Sequence, residues 1–231
     1  MSPSLWSDSL RVGGVGAASR FSRSFIAATA LVPAAFVLVV SLLERQAQLS
    51  GALDRTLLGG TFGIALPLVA YVLVDHVSQG ARLDSQLSPL IRAGYDRRAC
   101  VAANLGLVTM AAGLSGASLG LMAVVGSRGP SWISELAPAM WIGALAGACY
   151  AAVLGTASLI GKNGNGRAWV IFLDWVLGST GGTLALLWPR SHVANLLGGV
   201  APLNMDQSSA SLALATLLLT SLGIAWVRTD P

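Results

Sequence analysis

Charge is scarce in this sequence: Asp, Glu, Lys and Arg make up 10% of its 231 residues, against about 25% in ordinary soluble domains. So few charges cannot clothe a water-soluble fold, and with 54% hydrophobic residues the chain reads as an integral membrane protein. Cysteine and histidine are scarcer still. Cys100 and Cys149 lie in different apolar runs, which excludes a disulfide framework. His76 and His192 are the only histidines, so no H-E-x-x-H or paired-cysteine spacing exists and no metal site is expected. A net charge of +4 could suggest nucleic acid, but the basic residues are dispersed between apolar runs. They read as topology signals, and no nucleic-acid partner is expected.

Phosphate-binding loops are absent as well. Gly161-Lys162 would need a glycine at position 156 and a Ser or Thr at 163, where Thr156 and Asn163 stand. Gly14 to Ser19 misses the last glycine of a dinucleotide fingerprint and follows no strand. No acid pair or Ser/His set falls within the apolar runs, so the chain is not expected to be an enzyme. It is expected to bind no cofactor itself.

What remains is a series of apolar runs of about 20 residues, the length a bilayer core requires. The expected fold is an all-α integral membrane bundle with six spans, at about 25–43, 56–77, 99–125, 136–160, 168–188 and 208–227. Residues 1–24 form an N-terminal leader, in which Leu5, Trp6 and Leu10 with Arg11, Arg20 and Arg23 suit either an interfacial helix or a loosely ordered segment. Residues 44–55 make a short polar loop, and Gly129-Pro130-Ser131-Trp132 a turn with an interfacial tryptophan. Gly116-x-x-x-Gly120 and Gly143-x-x-x-Gly147 allow close helix approach, within one bundle or at a dimer seam. Residues 189–207 are too polar to span; His192 to Leu197 suits a short surface or partly re-entrant helix, with His192 as a solvated loop residue. Asp174 is the ionisable group expected within a span, facing the bundle interior or water, or lying hydrated near the interface.

With six spans and an inner N-terminus, ten Lys and Arg residues fall inside and four (Arg45, Arg55, Arg128 and Arg190) outside. The positive-inside rule then makes both termini cytoplasmic. The longest polar interval, Ala81 to Cys100, falls on that inner side. At helical period Leu83, Leu87, Leu90 and Ile91 share one face. Ser88-Pro89 suits a helix start, Gly94 a left-handed stop, and Asp96 a cap on the next helix. The element is a short amphipathic, arginine-rich helix held between two spans.

That stretch, SPLIRAGYDRRACVAANLG, resembles the corresponding region of permease subunits of ABC-2 type transporters, where an apolar helix precedes Arg-x-Gly-x-x-Arg-Arg and the third span. The matching residues are Arg92, Gly94, Arg97 and Arg98. WPRSHVANLLGGVAPL likewise resembles the family's short extracellular or re-entrant helices before the last span. The resemblance implies an exporter subunit in a bacterial inner membrane. Its partners would be a separate ATP-binding cassette ATPase, which holds ATP and Mg, and a second permease subunit. Leu87 to Arg98 would be the coupling helix, with Leu87, Leu90, Ile91, Arg92, Gly94, Tyr95, Arg97 and Arg98 at the ATPase contact. Two other classes fit the residues: a non-transporting scaffold or immunity-type protein using the same helix, and an ion-coupled carrier built on Asp174. If Leu90 and Ile91 face the partner, replacing either with Asp should detach it and spare membrane insertion, as co-purification would show.

Overall fold

The computed structural model describes residues 3–21, 23–47, 56–128 and 131–228. Among these residues every regular element is helical. Gly129, Pro130 and most of the expected 44–55 loop, including Arg55, lie outside the described residues. The helices are α1 (Pro3–Ala18), α2 (Arg23–Gln46), α3 (Thr56–Ser78), α4 (Ser88–Arg92), α5 (Arg97–Ser127), α6 (Trp132–Ala157), α7 (Gly166–Leu177), α8 (Pro189–Leu196) and α9 (Gln207–Arg228). Five of them, α2, α3, α5, α6 and α9, are long and apolar enough to cross a membrane.

The bundle is built on the pair α5–α6. A Cβ placed on Gly116 would come within 2.0 Å of the Gly143 carbonyl oxygen, and one on Gly143 within 2.2 Å of the Gly116 oxygen. Gly147 meets the Ala112 carbonyl, and Gly120 that of Ala139, in the same way. Backbone therefore lies on backbone. In lipid, where burying apolar side chains gains little over leaving them in acyl chains, such contact is what holds helices together. All four glycines are buried within this one chain. Both small-residue stripes are spent on an internal seam, and neither is left on the surface as a dimer seam. Helices α3 and α9 pack on the pair, while α2 leans on α5 where Gly126 gives room for Ser41.

Helix α3 has two windings. Thr56–Ala65 is π-helical and Leu66–Ser78 is α-helical, with Pro67 just inside the second part. Where the winding changes, Pro67 has no N–H to give to the helix ladder.

The expected span 168–188 is not one helix. Helix α7 has 12 residues, about 18 Å at 1.5 Å per residue, against a hydrocarbon core of about 30 Å. It stops at Gly178, and Gly178-Ser179-Thr180-Gly181-Gly182 leads into a single 3-10 turn, Thr183–Leu187. Summed hydropathy over 168–188 hides that break, because glycine and threonine are near neutral on such scales while their backbones resist helix. The chain then folds back: the Leu203 N–H donates to the Gly181 carbonyl, and α8 packs on α3 and α9.

Leader residues Pro3–Ala18 are helical, so the loosely ordered alternative is set aside. Helix α1 lies on the first turns of α5. The Asp96 N–H donates to Ser9 Oγ (2.8 Å), and Asn104 Nδ2 to the Gly13 carbonyl (3.3 Å). Leu5, Trp6 and Val15 remain exposed. The α1–α2 corner is held to the end of α3, where Arg20 donates to the Val77 carbonyl and His76 stacks on Phe25 with ring centres 3.5 Å apart.

The seam is testable. Gly143→Val should destabilise the folded chain by about 1–3 kcal/mol, the usual cost of overpacking, seen as a lower melting temperature in detergent. Gly106→Ala, on the open face of α5, should not lower it, since alanine favours helix over glycine.

Candidate functional site

At one end of the bundle sit α1, the segment between α3 and α5, the α6–α7 loop and the end of α9. The segment between α3 and α5 is a hinge of two short pieces, a 3-10 turn Ser85–Leu87 and α4. Helix α4 starts at Ser88 with Pro89 in its first turn, and no side chain caps it. Gly94 takes a φ of +91°, the left-handed conformation that lets the chain reverse. Asp96 caps α5, its Oδ1 accepting from the Ala99 N–H at 2.7 Å.

The hinge grips its own bundle with its apolar face. Leu83 and Leu87 are buried, and Leu90, Ile91 and Tyr95 are half-buried against the core. Ser85, Pro89, Arg92, Ala93 and Gly94 are left exposed. Asp substitutions at Leu90 or Ile91 would thus disturb the hinge's own seat, and cannot serve as clean probes of a partner. Asp84 ties the hinge from the other side. Arg82 binds it with two hydrogen bonds (Nε–Oδ1 3.0 Å, Nη2–Oδ2 2.9 Å) and Arg97 with a third (3.0 Å). Burial alone would push the Asp84 carboxyl up; the Arg82 hydrogen bonds and charge, with that of Arg97, outweigh this and hold it below its ordinary value. The Arg98 guanidinium lies 5.8 Å over the Trp226 ring, whose centre is 6.5 Å from that of Trp6. Of the three expected contact arginines, Arg97 and Arg98 are engaged by the chain itself, and Arg92 points outward.

A second polar cluster lies inside. Asp174 is 1% exposed. Its Oδ2 accepts from the Tyr150 hydroxyl at 3.0 Å, and its Oδ1 from the Arg190 main-chain N–H at 3.1 Å. The carboxylate thus meets the first turn of α8, where main-chain donors are unpaired and the helix dipole favours negative charge. The Arg190 side chain runs elsewhere: Nη1 donates to the Gly63 carbonyl at 2.5 Å, and Nε to Ser179 Oγ at 3.2 Å. It thereby ties the start of α8 to the π-wound part of α3. Four helices, α3, α6, α7 and α8, meet in this knot.

Two expectations change here. His192 is fully buried, its Nε2 2.9 Å from the Leu186 carbonyl, so it is a packed residue of α8 and not a solvated one. Arg190, expected in an outer loop, has its head drawn in to α3. The basic residue nearest the start of α7, Arg167, pairs with Asp75 (2.6 Å) and donates to Ser78 Oγ (2.5 Å), pinning α7 to the end of α3. Tyr150 and Arg190 were not singled out from the sequence. The available signal was a phenol inside an apolar run, which needs a partner; for Arg190 the sequence offered none. Among the described residues no group of His, Cys, Asp and Glu could hold a metal ion, and both cysteines are free and buried.

No family model, curated protein or solved structure matches the chain.

Two results follow from the geometry. Asp84 has a lowered folded pKa, so its contribution to hinge order is whole above the ordinary carboxylate value and is lost as pH falls through the lowered one. Protection factors of residues 82–98 against amide exchange, taken relative to the intrinsic rate at each pH, should therefore fall on acidification, and Asp84→Asn should show low protection at every pH. Asp174→Ala, which strands two buried donors, should cost about 1–3 kcal/mol per donor. Adding Tyr150→Phe should then cost less than it does in the parent chain, as a double-mutant cycle of melting temperatures would show.

Proposed function

We propose that the chain is the membrane subunit of an ABC-2 type ATP-driven exporter, and that the hinge between α3 and α5 is the handle its ATPase moves. The observation that carries this reading is the hinge's construction. It is short and continuous with two long helices, and Asp84, Asp96 and the buried leucines fix it to the bundle. Besides Ser85, its tip, Pro89 and Arg92 to Gly94, is offered outward. A rigid piece rooted in two membrane helices passes on a push as a tilt, which shifts the balance between two access states. The chain carries no nucleotide-binding motif, so ATP and Mg belong to the partner. A second permease subunit completes the path.

In this reading the fifth crossing is composite: α7 enters from the hinge end, and Gly178 to Trp188 finishes the passage before α8 re-enters from the far side. That gives six crossings and puts both termini on the arginine-rich side, which the positive-inside rule makes cytoplasmic. The setting is a bacterial inner membrane, and the cargo is unidentified.

A scaffold or immunity-type protein would use the same tip to recruit a protein that hydrolyses nothing. The carrier reading fares less well, since both oxygens of Asp174 are occupied in holding α8. The test uses the exposed tip. Arg92→Glu combined with Ala93→Glu should abolish co-purification of an ATP-binding protein at unchanged melting temperature. Undiminished co-purification would end the coupling assignment, and capture of a partner without ATPase activity would favour the scaffold.

A further inference from the structure

The Arg190 side chain does more than bind α3. At the end of the bundle away from the hinge, a cleft of about 270 Å³ opens between the π-wound start of α3 and α8. Its walls are apolar, among them Leu58, Phe62, Val193 and Val200, and it holds two polar side chains, Ser179 and Arg190. Asp174, the acid nearest to Arg190, is turned to its main chain and to Tyr150, not to its guanidinium. Among the described residues the guanidinium makes no ion pair. Two of its N–H donors are used, on Gly63 and Ser179, out of five that the group carries. Asp174 acts on this charge only from beyond hydrogen-bond reach, so a half-buried guanidinium stands in an apolar cleft with donors to spare.

We infer that this cleft binds the anionic head of an amphiphile: a phosphate- or sulfate-type group on the Arg190 guanidinium, with the start of its apolar chain along Leu58, Val193 and Val200. Arginine suits such a head because its planar fork donates two parallel hydrogen bonds to one oxyanion. The cleft is small for a whole lipid, so it takes the head and the first carbons and leaves the rest of the chain in the bilayer. A membrane phospholipid and a free inorganic anion share the oxyanion chemistry and differ in the chain, and the Val193–Val200 wall selects the former. The inference does not depend on the exporter reading, since it concerns this chain alone and the end of the bundle that no ATPase would touch.

The experiment is native mass spectrometry of the full chain in neutral detergent, titrated with dodecyl phosphate, zwitterionic dodecylphosphocholine and inorganic phosphate. One dodecyl phosphate per chain should bind, and the other two probes should bind far more weakly. Arg190→Gln should weaken dodecyl phosphate about ten- to hundredfold, the range for losing a hydrogen-bonded charge, while Arg190→Lys should fall between. Because Arg190→Gln also withdraws the Gly63 donor, Ala194→Phe serves as the second variant: it fills the cleft, leaves Arg190 in place, and should weaken the amphiphile equally. The inference fails if both variants bind dodecyl phosphate like the parent chain. It fails too if dodecylphosphocholine binds as tightly, which would mean no anion selectivity, or if inorganic phosphate does, which would mean a free anion site.

Discussion

The contact of α5 with α6 at Gly116 and Gly143 is the constraint on which the other elements depend. Two backbones meet there with no side chain between them, and a membrane bundle has few other ways to make a rigid centre. The pair fixes where α3 and α9 dock. Through the Asp96 cap on α5 it also fixes the root of the hinge. Apolar surface that a soluble protein would hide, such as Leu31, Val32 and Phe36 of α2, stays outward because the surrounding medium is itself apolar.

Polar groups in this bundle are few, and three of them meet main-chain groups at helix ends or changes of winding. Arg190 donates to the Gly63 carbonyl of α3, Asp174 takes the main-chain N–H of Arg190 at the start of α8, and Asp96 does the same service for α5. Without water to fall back on, an unpaired backbone group in hydrocarbon costs several kcal/mol. This is why a twelve-residue helix and a short folded-back one can stand within the bundle at all: their ends are met by Arg167 with Asp75 at one side and by Asp174 at the other.

Much of this was legible in the sequence, and what was missed has physical causes. Long apolar runs marked the five helices that are long and apolar enough to cross a membrane to within a few residues, because hydropathy over 20 residues integrates a strong signal. Gly94 and Asp96 were readable from local chemistry alone, as a left-handed stop and an N-cap. The break at Gly178 was lost because apolar neighbours outweighed it in the sum. The inward turn of Leu90 and Ile91 was ambiguous by nature: periodicity shows that an apolar face exists and is silent about whether its own bundle or a partner covers it. His192 and Arg190 were misplaced for a related reason. A polar residue between two runs is usually wet, and only the fold-back of α8 onto α3 buries these two.

The claim most open to direct test is that the hinge tip and the α8 cleft lie on opposite faces of the membrane, with the hinge inside the cell. Cys100 and Cys149 are buried and do not compete for label, so single exposed cysteines can be read in the parent background. Arg92→Cys and Val200→Cys should be treated in intact cells with a membrane-impermeant maleimide. The account predicts that Val200→Cys reacts at once and Arg92→Cys only after the membrane is opened; labelling of Arg92→Cys from outside would contradict it.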